Sequence, residues 1–154
     1  GPCLSKDGLF LDNNTTFSSI VSTAWKVNES IPQHVINKIK EIKGNIFGIE
    51  IGVLGLSFKQ GSDDLRNSPS LKLVELLKAA GAIVKIHDPF VKNTSSLDQV
   101  LQNSEIIIIA TNHLEFKNII KDLNQSKIKI IYDVWAMFKK EDFDSAKYLK
   151  LGQG

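Results

Sequence analysis

Cys3, Lys6 and Asp7 stand close together in the opening stretch GPCLSKD, and their types and spacing suit acyl chemistry. A thiolate is a strong nucleophile, and a neighbouring ammonium raises the thiolate fraction. A carboxylate nearby can orient or deprotonate the water that ends such a sequence by hydrolysis. An inert thiol near a chain end fits the same residues, so this stretch alone leaves both readings open.

A second charged group lies in IGVLGLSFKQGSDDLRNSP, Ile51 to Pro69. An apolar strand enters a glycine turn and a helix follows, as in a dinucleotide-binding unit. The glycines fall at Gly52, Gly55 and Gly61, not in the tight triplet that cradles a pyrophosphate. Lys59 suits a phosphate or carboxylate, and Arg66 suits a bidentate contact to an oxyanion. Asp63 and Asp64 either hold those cations or cap the next helix. A solvated loop of mutually paired charges is the competing reading. Asp88, Thr111, Asn112 and His113 close apolar runs and are weaker candidates for touching a ligand. Trp135, after IIYDV, reads as a core or interface aromatic placed to line a cleft. No cluster has metal-ligand spacing.

The elements that must position these residues are legible as two rhythms. From Phe17 to Lys43 apolar residues recur at helical spacing, and Gly44 stops the pattern. Pro32 either opens a second helix after Ser30 or kinks one long helix. After Gly44 the rhythm becomes strand, turn, helix. NIFGIEIGVLG, AIVKIHD, EIIIIATN, KIKIIYDV and the short KYLKLGQG read as strands. SLKLVELLKAAG, SSLDQVLQNS and LEFKNIIKDLNQS read as the intervening helices. This alternation predicts an α/β fold: a Rossmann-like doubly wound parallel sheet of about five strands, preceded by a helical segment. Ligands in such sheets sit beyond the carboxyl ends of the strands, in the turns Gly55–Pro69, His87–Asn93, Thr111–Glu115 and Asp133–Phe138.

Composition narrows the class. The 154 residues suit one domain of ordinary size with an appended segment, and 42% hydrophobic with 23% charged residues is a globular balance. A net charge of +2, with lysines scattered, gives no footprint for nucleic acid or an anionic membrane. No apolar run is long enough to span a bilayer, and nothing at the start reads as a secretory signal. A single cysteine excludes an intrachain disulfide and points to a cytoplasmic address.

GPCLSKD, a helical stretch carrying VNESIP, GVLGLSFKQGSDDLRNSP, IHDP, IIIIATNHLEF and IIYDVW resemble, in that order, the UDP-glucose/GDP-mannose dehydrogenase family. The resemblance covers almost the whole chain. It implies an NAD-dependent oxidation of a nucleotide sugar's C6 alcohol to the uronic acid in two steps. It also implies a homodimer in the parent enzyme. Residues 1–43 would be the catalytic-cysteine loop and the end of the central helical dimerisation region. Residues 44–154 would be the domain that binds a UDP- or GDP-sugar. NAD would be held mainly by an N-terminal domain that this chain lacks.

By that resemblance Cys3 is the nucleophile that forms a thiohemiacetal and then a thioester. Asp7 helps activate water, with Lys6 beside it. Phe58 and Lys59 contact the nucleotide sugar, and Arg66 reaches toward the cofactor across the domain interface. Two stretches depart from the family pattern. Asp133-Val134-Trp135-Ala136 stands where many members that use UDP-glucose carry Asp-Gly-Arg-Asn, and FKQGSDD differs from the commoner FKPNTDD and leans toward the form in GDP-mannose enzymes. The sugar and base therefore stay open. A non-catalytic nucleotide-sugar-binding or regulatory module is the alternative reading.

Overall fold

The computed structural model describes residues 19–152. Cys3, Lys6 and Asp7 lie outside the described residues. The first element is one continuous helix, α1 (Ser19–Lys43), with Pro32 inside it. Of the two arrangements open for Pro32, the long single helix is the one formed. The second half of α1 carries the apolar stripe that packs: Val35, Ile36 and Ile39 are buried in the sheet's core. The first half leaves Ile20, Trp25 and Val27 exposed. Gly44, at φ +81°, ends the helix by donating its N–H to the Lys40 carbonyl at 2.8 Å. That left-handed turn is the conformation in which a residue lacking Cβ is cheapest. Lys43 then pairs with Glu105, fixing the helix end to the start of the third strand.

Five strands follow: β1 (Glu50–Leu54), β2 (Ile83–His87), β3 (Ile106–Ile109), β4 (Ile130–Asp133) and β5 (Lys147–Lys150). They form one parallel sheet in the order β2-β1-β3-β4-β5. Between them run α2 (Pro69–Ala79), α3 (Leu97–Asn103), a 3₁₀ turn at Leu114–Asn118, α4 (Ile120–Gln125) and a 3₁₀ turn at Lys140–Asp142. The doubly wound α/β expectation is met, and all five expected strands form.

Alternation along the strands divides the core. Ile51, Val53, Ile106, Ile108, Ile130 and Tyr132 face α1 and α2. Leu54, Ile107, Ile109 and Ile131 face the opposite layer, with Val100 and Leu101 of α3 and Leu123 of α4. Strands covered on both faces have no solvent side, which is why IIII needs no polar alternation.

Two expected elements are shorter than their apolar runs. The run from Asn45 becomes ladder only at Glu50, because Gly48 turns at φ +72° and donates to the Gly81 carbonyl. LEFKNIIKDLNQS breaks at Ile119 into the 3₁₀ turn and α4.

Candidate functional site

The strand order reverses direction at β1, with β2 on one side and β3 on the other. The chain after β1 and the chain after β3 therefore lead to opposite layers, and the carboxyl ends between them are where a ligand crevice is expected in such a sheet. Both loops are tied tightly at their roots. The N–H of Gly55 donates to the His87 carbonyl at 2.8 Å, and that of Ala110 to the Leu54 carbonyl at 2.8 Å. Gly55 has φ +91°, and a Cβ there would lie 2.4 Å from Thr111 Cβ. The two loops approach so closely that only glycine fits.

Asp88, two per cent exposed, organises the loop after β1. Its Oδ2 accepts the N–H groups of Leu56 (2.7 Å) and Ser57 (3.2 Å). Its Oδ1 accepts those of Phe90 (2.9 Å) and Val91 (3.2 Å). Burial opposes ionisation of this carboxyl. The hydrogen bonds from Leu56, Phe90 and Ser57, with the nearby His113, outweigh it and hold the pKa below the usual carboxylate value. A carboxylate with this many amide donors acts as a fixed peg for the loop.

His113 is fully buried beside it. The Gly61 N–H donates to His113 Nδ1 at 3.2 Å, so the ring proton is assigned to Nε2. Nε2 lies 3.1 Å from both Asp88 Oδ2 and Ser57 Oγ. The Ser57 hydroxyl donates onward to the Lys59 carbonyl at 3.0 Å. Thr111 Oγ1 donates to the Ser57 carbonyl at 2.7 Å. Thr111 and His113, which their place at a strand end suggests as ligand contacts, are instead turned inward as struts. The burial of both side chains is the reason.

The outer part of the loop carries the exposed charges. Phe58 is half-buried and its N–H donates to the Asp64 carbonyl at 3.1 Å, closing the loop on itself. Lys59 is exposed, with its ammonium 5.5 Å from the Phe58 ring centroid. Arg66 grips Asp64 through Nε (3.0 Å to Oδ1) and Nη2 (2.7 Å to Oδ2), while its side chain remains 76% exposed. The hydrogen bond from Arg66 holds the Asp64 carboxyl down at about 2. Of the two roles open to Asp64, holding a cation is the one it takes. The cap of α2 is Ser68, whose Oγ accepts the Ser70 N–H at 3.2 Å and donates to the Leu56 carbonyl at 2.6 Å. Phe58, Lys59 and Arg66 are thus gathered on one short, internally braced loop at the crevice.

Trp135 sits at the same edge after β4. Its indole N–H donates to the Ala110 carbonyl at 2.9 Å, and its ring is about half exposed. Its backbone N–H donates to Asp133 Oδ1 at 3.0 Å. Ala136 next to it takes φ +53°. Asp133 also accepts from the Phe138 N–H at 3.0 Å. Tyr148 OH lies 3.0 Å from the same Oδ2, and burial raises the Tyr148 pKa. Asp133 is therefore a brace for the turn that presents Trp135.

A crevice edged by side-chain cations, with no glycine cradle, fits a phosphorylated ligand held by lysine and arginine. Comparison with known proteins gives the family. The profile of the UDP-glucose/GDP-mannose dehydrogenase family, UDP binding domain, matches residues 52–140. The chain is 40% identical, over 77% of its length, to the UDP-N-acetyl-D-mannosamine dehydrogenase of Pyrococcus horikoshii, covering 30% of that protein. It is 31% identical over its whole length to the enzyme of that name from Methanocaldococcus jannaschii, covering 38% of it. The solved structure of UDP-D-ManNAc dehydrogenase from Pyrococcus horikoshii superposes with a TM-score of 0.87, at 31% identity over all of this chain and 38% of that one. The chain thus spans about a third of the relatives it matches, and the match takes in the crevice loop itself. It belongs to the UDP-glucose/GDP-mannose dehydrogenase family.

Proposed function

We propose that this chain is the C-terminal, nucleotide-sugar-binding part of an NAD-dependent nucleotide-sugar 6-dehydrogenase. The observation that carries the reading is the braced loop Leu56–Arg66, which offers Lys59 and Arg66 at the crevice where a Rossmann-like sheet takes its ligand. In this reading Phe58 and Lys59 hold the nucleotide sugar. The likeness to UDP-N-acetyl-D-mannosamine dehydrogenases supports a UDP-linked sugar, with UDP-N-acetylmannosamine as the first to test.

NAD supplies the hydride acceptor, but the described residues offer it no cradle. Ser57, Asp88 and His113 fill the space behind the loop, and the amides of Leu56, Ser57 and Gly61 are already engaged. The dinucleotide is therefore assigned to a domain beyond this chain, with Arg66 reaching toward it. Once the alcohol has reached the aldehyde, the Cys3 thiolate adds to it and forms the C–S bond of a thiohemiacetal. After oxidation to the thioester, water attacks the acyl carbon and Asp7 takes its proton. The C–S bond then breaks, leaving the uronic acid and the Cys3 thiolate. Lys6 raises the thiolate fraction.

Residues 1–43 carry this chemistry and the end of a dimerisation helix; residues 44–154 carry the sugar site. The exposed Ile20, Trp25 and Val27 of α1 support a homodimer in the parent enzyme. No helix among the described residues is long and apolar enough to cross a membrane, and a cytoplasmic address belongs to the same proposal.

A panel of UDP- and GDP-sugars against this chain, read by thermal shift, tests the reading. A bound ligand stabilises by mass action. Stabilisation by one or more of these sugars, reduced in Lys59→Gln, is expected; a flat panel overturns the assignment.

A further inference from the structure

Two backbone groups hold the tip of the crevice loop, and both lead to one imidazole. The Gly61 N–H donates to His113 Nδ1 at 3.2 Å. The Lys59 carbonyl accepts from the Ser57 hydroxyl at 3.0 Å, and Ser57 Oγ lies 3.1 Å from His113 Nε2. Gln60 is the single residue between these anchors. Among the described residues they are the only hydrogen bonds to the backbone of the tip, Lys59–Gly61. Packing adds nothing at Gly61, where a Cβ would meet no atom within 4 Å. The ring therefore sets the tip from both sides, directly at Gly61 and through Ser57 at Lys59.

The ring itself is held in one orientation. Phe90 lies against it at 5.0 Å between centroids, and Phe116 meets it edge-on at 5.6 Å. Asp88 Oδ2, 3.1 Å from Nε2, keeps the ring proton on that nitrogen and leaves Nδ1 as the acceptor that Gly61 needs. The hydrogen bonds then run in one sense. Gly61 N–H donates to Nδ1, Nε2–H to Asp88 and Ser57, and Ser57 O–H to the Lys59 carbonyl.

We propose that His113 is a positioning residue for ligand binding: its Nδ1, kept as an acceptor by Asp88, sets the Lys59–Gly61 tip and so aims the Lys59 ammonium at an anionic ligand. The assignment rests on the nucleotide-sugar reading of this loop. It adds that affinity depends on which ring nitrogen carries the proton, and that a buried side chain governs an exposed one.

Two substitutions separate the two nitrogens. His113→Asn puts an amide oxygen near the place of Nδ1 and keeps an acceptor for Gly61. His113→Gln reaches the place of Nε2 and keeps a donor for Asp88. Calorimetry with UDP-N-acetylmannosamine on the full chain reads affinity, and NMR hydrogen exchange reads the Gly61 amide. Circular dichroism confirms that both variants are folded at the assay temperature. In His113→Gln the Gly61 amide exchanges faster than in the native chain, and affinity falls about tenfold, the effect of misplacing one charge-assisted contact. His113→Asn restores amide protection and returns affinity to within about threefold of native, even where its melting temperature falls as far as that of His113→Gln. Adding Lys59→Gln costs little further affinity in His113→Gln and its full effect in His113→Asn, a coupling that loss of stability alone does not produce. The proposal is overturned if the two variants lose affinity equally, or if Lys59→Gln costs the same in both. A native chain that binds no nucleotide sugar overturns the nucleotide-sugar reading and this assignment with it.

Discussion

His113 Nε2 and Asp88 Oδ2 stand 3.1 Å apart with both side chains sealed from solvent. Through this pair the ends of β2 and β3 jointly hold the loop that follows β1. The loop's position at the crevice is therefore a property of three strands at once. Removing the peg leaves four backbone N–H groups without their acceptor. Asp88→Ala is expected to cost about 3 kcal/mol or more, from the loss of several buried hydrogen bonds to a charged group. Urea unfolding measures it as a lower midpoint at unchanged slope.

The same carboxyl sets an acid limit. Its folded pKa lies below the unfolded value, so its stabilisation is complete above that unfolded value and is lost as pH falls through the folded one. The stability gap between the native chain and Asp88→Asn is expected to narrow from about pH 4 downward. A gap constant down to pH 2 would refute this role.

Ala136 holds φ +53° in the turn after β4, a conformation costing an L-residue about 1 kcal/mol. Ala136→Gly is expected to raise stability by about 0.5–1 kcal/mol, a few degrees in melting temperature. Gly55→Ala should act in the opposite sense and strongly, because its Cβ would meet the Thr111 backbone nitrogen at 2.8 Å as well as its side chain.

Lys59 is exposed, and among the described residues its ammonium makes no structural brace beyond the Phe58 ring. Lys59→Gln should therefore leave the melting temperature of the free chain within about a degree. It should weaken nucleotide-sugar binding about tenfold by calorimetry, the cost of one charge-assisted contact. An equal loss of stability and affinity would mean that the residue is structural.

In the whole enzyme, Cys3→Ser should abolish uronic acid formation while leaving nucleotide-sugar affinity unchanged. Cys3 should also alkylate faster at neutral pH than a free thiol. A labelling rate no greater than that of free cysteine would favour the non-catalytic module. The isolated chain should produce no NADH; detectable NADH would overturn the assignment of the cofactor to a missing domain.

The sequence made the layered fold legible because periodicity is local: β3 is an unbroken IIII, and the Ser68-Pro69 start of α2 is a cap followed by its first helical residue. It made the charged loop legible because a strand, sparse glycines and a helix frame it. The roles inside the site were less legible. Asp88 binds amides 31 and 32 residues earlier in the chain, and no spacing rule reaches that far. His113 and Thr111 look like ligand contacts at a strand end, and only packing reveals that they face inward. Pro32 allowed both a break and a continuous helix; burial of the second half of α1 decided the matter.

The continuity of α1 has a mechanical consequence. At 25 residues it is a rod of about 37 Å. Its far half is set into the sheet's core, and Lys72 clasps Glu29 near its midpoint at 2.9 Å. A load on Ile20 and Trp25 is therefore carried along the rod toward the sheet, and Pro32, which offers no N–H to the helix ladder, is the point along it where the rod can give.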